Sequence, residues 1–163
     1  MVSNQRVVGS SPTARAIISV INSKKIGNIG EAKTLSKFVE LGVPVYIPFG
    51  DNEKCDIIAD FNGKLNKIQC KTSFKFTDNR ILFSLVSSTM HRKNGIKHIY
   101  SNEEIDYFSL YNIESGIILL LPIEIVGGMK QVSFRVPFDP TVKQNQYVAL
   151  NFEDFLFEKI IAC

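Results

Sequence analysis

Three polar residues sit at matched positions of two neighbouring segments: Asp56 in CDIIADF, then Gln69 and Lys71 in KLNKIQCKTS. The segments are joined by Asn62-Gly63, a dipeptide favoured in two-residue hairpin turns because both central residues must take positive φ. Such a turn sets Phe61 opposite Lys64, which brings Asp56 directly across from Gln69 on one face. Opposed side chains have Cβ atoms about 4.5–5.5 Å apart, and Lys71 becomes the diagonal neighbour of Asp56. A carboxylate, an amide oxygen and an ammonium gathered this closely suit a hard divalent cation such as Mg²⁺ with a phosphate ester beside it. The same trio is also compatible with a structural Asp–Lys pair beside a polar Gln, worth about 0–1 kcal/mol if exposed.

The elements that must position these groups can be read from periodicity. The other face of the hairpin carries Ile57, Ala59, Phe61, Ile68 and Cys70, which is core material. Ahead of it, GNIGEAKTLSKFVELG (Gly27 to Gly42) reads as an amphipathic helix, with Ala32, Leu35, Phe38, Val39 and Leu41 on one arc. Gly42 and Pro44 form its stop signal. Glu31 falls near the middle of the apolar arc, where a carboxylate needs a metal, a cation or a wet cleft. Alternatively it bends outward to solvent and favours the helix dipole from the first turn. VYIPF (Val45 to Phe49) predicts a short strand, and RILFSLVSS (Arg80 to Ser88) a third core strand. YFSLYN and IILLL predict further strands, the second ending near Pro122, and VSFRV (Val132 to Val136) predicts one at the rim. NFEDFLFEKIIA predicts a final helix capped by Asn151, with Phe152, Phe155, Leu156 and Ile160 on the sheet and Phe157 and Ile161 left for a subunit contact. The fold class expected is α/β, a mixed central β-sheet flanked by helices.

With 163 residues, 45% apolar and 21% charged, the chain has the composition of one domain with a real core. That domain is expected over residues 24–163, with 1–23 a loose N-terminal extension or a mis-annotated start. No apolar run approaches the roughly 20 residues of a membrane span, and AIISVI is too short for a signal peptide. Cys55, Cys70 and Cys163 are odd in number and without metal-site spacing, so reduced thiols in the cytoplasm are expected. Net charge is only +3, yet residues 64–97 hold eight Lys and Arg against the single acid Asp78. That block suits a polyanion partner, or a solvated basic hairpin. Its candidates for DNA contact are Lys67, Lys75, Arg80, His91, Arg92, Lys93 and Lys97, several of them in the loop TMHRKNGIKHIY. His91 and His98 lack metal-ligand spacing, and Glu103, Glu104 and Asp106 read as a solvated lead-in to a strand.

The order GxxGE on a helix, then an Asp, then QxK on the next strand resembles the PD-(D/E)XK nuclease superfamily. IGNIGEAK, VYIPFGDNEKCDIIAD and GKLNKIQCKTS resemble more closely its small group I intron-associated homing endonucleases, of the cyanobacterial transfer RNA intron type. The similarity covers about Lys24 to Ser88 well and extends loosely through IDYFSLYN and IILLLPIEI. The resemblance implies a restriction-endonuclease-like core in which Glu31 is the helix acid, Asp56 the metal-binding acid, Gln69 the second acid position and Lys71 the catalytic lysine. Glu31, Asp56 and Gln69 would then hold Mg²⁺, with Mn²⁺ as a substitute. Two positions depart from the pattern: Cys55 replaces a proline that supplies shape, and Gln69 replaces an acid, as the intron-associated group also looks to do. The implied activity is metal-dependent cleavage of double-stranded DNA at a specific site by a homo-oligomer, dimeric or tetrameric. Other readings are a Holliday junction resolvase, a restriction-type nuclease, a non-catalytic nucleic-acid-binding module, or a subunit whose basic block meets an acidic partner.

Overall fold

The computed structural model describes residues 23–50, 53–74, 76–87, 97–139, 141 and 150–162. Its architecture grows outward from the Asn62-Gly63 turn, where φ is 54° and 71°, the two positive values that a two-residue hairpin needs. The strands it joins, β2 (Ile57–Phe61) and β3 (Lys64–Ser73), pair with Phe61 opposite Lys64 and Ile57 opposite Ile68. That is the register the turn predicts. From inside the hairpin, the buried Asn66 amide donates to Phe61 O at 3.1 Å and to Lys64 O at 2.9 Å.

Three more strands complete a mixed sheet in the order β1-β2-β3-β6-β7, with β1 spanning Val45–Tyr46, β6 Tyr107–Asn112 and β7 Ile118–Pro122. Only the β3–β6 pair is parallel. The crossover between those two strands carries β4 (Phe76–Thr77) and β5 (Arg80–Ser84), which join β8 (Gln131–Arg135), from beyond β7, in a second sheet of order β4-β5-β8. The segment expected as a third core strand, Arg80 to Ser88, is therefore strand only to Ser84 and belongs to this second sheet. VSFRV is its antiparallel partner, with Arg80 opposite Arg135. The strand expected over Val45 to Phe49 stops at Tyr46, two residues before Pro48, and leaves Ile47 and Phe49 exposed.

Each face of the five-stranded sheet has its own core. Helix α1 (Ser23–Glu40) and the short C-terminal helix α3 (Phe157–Ile161) cover the first face around Phe38, Ile57, Ala59, Phe61, Ile68, Leu120 and Phe157. The second sheet covers the other, where Ile81, Phe83 and Phe134 pack on Phe108, Leu110, Leu119 and Leu121. A one-turn helix, α2 (Ile123–Val126), follows β7 directly.

The phase of α1 differs from the expected one. Its buried residues are Gly30, Thr34 and Phe38, spaced by four, while Ala32, Val39 and Glu31 are exposed. The cause is a close approach to β3: a Cβ placed on Gly30 would lie 1.9 Å from Thr72 Oγ1. One turn on, Thr34 Oγ1 donates to Gly30 O at 2.8 Å and shares a hydrogen bond of 2.7 Å with Ser109 Oγ. Small and hydroxylated residues thus form the contact stripe, a pattern that a count of apolar side chains passes over.

The C-terminus differs as well. Asn151 does cap the segment, accepting from Glu153 N at 3.1 Å, but Phe152–Phe155 is a 3₁₀ turn and Leu156 is extended, bridging to Leu119. This break redirects the chain so that Phe155 enters one core and Phe157 the other. Phe157 is fully buried, 4.9 Å from the Phe38 ring, and cannot supply the expected subunit contact. Among the described residues no helix is long and apolar enough to cross a membrane.

Candidate active site

Asp56 stands one residue ahead of β2, at the point where the backbone ladder to β3 ends. Its N–H still donates to Ile68 O at 2.9 Å, and its side chain then replaces the next ladder bond. Carboxylate Oδ2 accepts from the Cys70 N–H at 2.7 Å and from Gln69 Nε2 at 2.5 Å. The predicted opposition of Asp56 and Gln69 is therefore realised as a direct side-chain bond.

Gln69 and Lys71 share a sheet face with Phe108 and Leu110 of β6, the face under the second sheet. Lys71 is held from the side of that sheet. Its Nζ donates to Val86 O at 3.1 Å, lies 3.5 Å from Tyr100 Oη, and sits 4.7 Å from the centroid of the Tyr100 ring. Val86 is itself bridged to Ile99, and Ser87 N donates to His98 O at 3.0 Å, so two chain segments brace the lysine.

Burial dominates the electrostatics. It pushes the Asp56 carboxyl up to about 6; the charge of Glu31 adds to the rise, whereas the Cys70 N–H, the Lys71 ammonium and the Gln69 amide oppose it. Burial likewise lowers the Lys71 pKa, with Asp56 pulling the other way. The Cys70 thiol is pushed far up by burial and stays protonated and inert.

Glu31 takes the outward, solvent-facing course that the sequence also allows. It is exposed, on a helix that covers the opposite face of the sheet from Gln69 and Lys71. Its charge nevertheless reaches both Asp56 and Cys70 and raises the pKa of each.

Among the described residues no group of three or more His, Cys, Asp and Glu gathers as a ready metal cage. The donors available are all oxygens: the Asp56 carboxylate, the Gln69 amide oxygen once the amide turns, the Cys70 carbonyl and the Glu31 carboxylate. One or two carboxylates with neutral oxygens and waters fit Mg²⁺ or Mn²⁺ and do not fit a soft metal.

The candidate DNA contacts are scattered. Lys67 is exposed but engaged, its Nζ donating to Glu103 O at 3.1 Å and its N–H to Asp106 Oδ2 at 2.8 Å. Arg80 is half-buried in β5 and Lys97 is exposed. Lys75, His91, Arg92 and Lys93 lie outside the described residues. Of the acids expected as a solvated strand lead-in, Glu103 is exposed, while Asp106 and Glu104 are engaged. Asp106 also takes Lys64 Nζ at 2.5 Å, and Glu104 Oε2 meets His98 Nε2 at 2.8 Å and Ser101 N at 3.1 Å. Tyr100 and Val86 are not legible in the sequence, since contacts 29 and 15 residues from Lys71 leave no local pattern.

A mixed sheet whose hairpin presents Asp, Gln and Lys beside a helix acid defines a nuclease core. Residues 21–158 match the family described as PD-(D/E)XK endonuclease, and the chain belongs to that family. Among solved structures it is similar to "a bacterial homing endonuclease", I-Ssp6803I, with a TM-score of 0.64 and 20% identity over 77% of this chain and 86% of that one. At that identity the likeness is one of fold. No curated protein sequence matches the chain.

Proposed function

We propose that this endonuclease is a Mg²⁺-dependent enzyme that cuts double-stranded DNA at a specific long site, of the intron homing type. The observation that carries the reading is the juxtaposition of the Asp56 carboxylate, the Gln69 amide and the half-buried Lys71 ammonium at the opening of one β-hairpin. The likeness to I-Ssp6803I supports the homing type. Asp56, the Gln69 amide oxygen, the Cys70 carbonyl and Glu31 would hold the ion. Bound there, it supplies Lewis-acid stabilisation of the phosphate and a more acidic water.

The chain's own groups do the rest. Lys71 holds the attacking water or a non-bridging phosphate oxygen, and its charge offsets the charge that builds on phosphorus. The water attacks in line with the leaving 3′-oxygen, with no covalent enzyme intermediate. Asp56 must be ionised to hold the ion, and burial raises its pKa in the metal-free fold, so a proton competes with the ion at low pH. Each chain carries one such site and a duplex has two strands, which supports a homo-oligomer on a pseudo-palindromic target.

The test is cleavage of supercoiled plasmids in Mg²⁺, carrying uninterrupted or intron-interrupted transfer RNA genes, by wild type, Asp56→Ala and Lys71→Ala. The expected result is cutting of the uninterrupted gene alone, lost in both variants. Cleavage that survives both substitutions would remove the assigned site, and equal cutting of both plasmids would remove the homing role.

A further inference from the structure

Tyr100 lies outside the acidic and basic groups discussed so far, yet it is the aromatic ring against which Lys71 rests. The ammonium stands 4.7 Å from the ring centroid, with Val86 O accepting from it at 3.1 Å. The ring is itself fixed. Tyr100 is buried, meets Phe108 edge to face at 5.7 Å, and meets the His98 ring in the same manner at 5.2 Å. His98 is anchored in turn by Glu104. A lysine side chain carries about 2 kcal/mol of rotamer entropy, and an unbraced one would sample positions far from Asp56. A cation over a desolvated aromatic face is held well enough to limit that sampling.

We infer that Tyr100 is a positioning residue, whose ring face together with the Val86 carbonyl keeps the Lys71 ammonium in its catalytic place. The inference rests on the proposed role of Lys71. The ring matters and the hydroxyl does not, because the Oη contact of 3.5 Å is at the limit of a hydrogen bond while the ring lies beneath the charge.

The experiment uses the full chain with Tyr100→Phe, Tyr100→Leu and pentafluorophenylalanine in place of Tyr100. The fluorinated ring keeps the shape of phenylalanine but loses its attraction for a cation, so it serves if Tyr100→Leu fails to fold. Single-turnover cleavage in Mg²⁺ is compared with DNA affinity in Ca²⁺. Tyr100→Phe should cut within about threefold of wild type, and the other two should fall about tenfold in rate with affinity unchanged. Equal losses in Tyr100→Phe and Tyr100→Leu, or a fluorinated variant as fast as Tyr100→Phe, would overturn the inference.

A second readout is independent of cleavage. In metal-free protein the Lys71 Hε protons should be shifted upfield by the ring current in wild type and Tyr100→Phe, and not in Tyr100→Leu. Absence of that shift in folded wild type also overturns the inference. If the shift is present while Lys71→Ala still cuts DNA, the catalytic reading of Lys71 fails and the ring contact stands.

Discussion

Asp56→Asn should make the metal-free protein more stable while abolishing its activity. The carboxyl moves from an ordinary value of 3.8 to about 6 in the fold, chiefly through burial. At about 1.4 kcal/mol per pH unit this amounts to about 3 kcal/mol of strain at neutral pH, and residual solvent contact reduces it to about 2 kcal/mol. Asparagine keeps the shape and an oxygen that can accept from the Cys70 N–H and Gln69 Nε2, without the buried charge. For a chain of this size, about 2 kcal/mol corresponds to a rise in Tm of about 4–8 °C. The sign follows from linkage. A carboxyl whose folded pKa is raised binds its proton more tightly in the native state, so its contribution is most favourable at low pH and is lost as pH climbs through the window from 3.8 to about 6. The gap between variant and wild type should therefore vanish below about pH 4 and be fully open above about pH 6. Thermal melts in EDTA across that range give the answer. Added Mg²⁺ should then raise the Tm of wild type and leave Asp56→Asn unmoved. An Asp56→Asn protein that melts at or below wild type at neutral pH, or a gap independent of pH, would refute the reasoning.

Other perturbations test the scaffold. Gly30→Ala drives a methyl to 1.9 Å from Thr72 Oγ1 and should cost about 1–3 kcal/mol in urea unfolding, with part recovered by adding Thr72→Ala. Phe157→Ala empties a fully buried site against Phe38 and should cost about 3–5 kcal/mol; a cost under about 1 kcal/mol would mean that α3 does not pack as described. Asp106→Ala strips an acceptor from the Lys67 N–H and from Lys64 Nζ beside the parallel β3–β6 pair. It should lower stability by about 1–3 kcal/mol and speed amide exchange at Lys67, which hydrogen-exchange NMR would report residue by residue.

What was legible in the sequence was local. Two residues with required positive φ fixed the hairpin, and with it the pairing of Asp56 and Gln69, because turn chemistry and a two-residue side-chain period leave one register. The existence of α1 was equally plain, but its rotation was not. Ala32 and Val39 look like contact residues and are exposed, while Gly30 and Thr34 look neutral and are buried, since what decides the phase is how near Thr72 comes. The second sheet is not legible in the sequence because Ile81 and Phe134 meet across about fifty residues of chain, and a strand's alternation does not say which sheet it joins. The same holds for Tyr100, which meets Lys71 from 29 residues away. Leu156 shows the opposite limit: a helical pattern of apolar residues was overridden by a bridge to Leu119, which splits Phe155 and Phe157 between two cores.

The two-residue turn at Asn62 and Gly63 also constrains how genes for this protein can change length. Asp56 and Gln69 meet only because the strands leave that turn in one alignment, which the Asn66 amide secures from within. One added or deleted codon between them would carry one partner to the far face of the sheet, among Ile57 and Ile68, while every residue of both strands remained intact. Insertions that lineages of this family retain between the acid and the QxK segment should therefore be accommodated as bulges or larger loops that restore the alignment, and reading frames with an uncompensated single-residue change there should encode destabilised, inactive chains, because the apolar set of one strand turns with it.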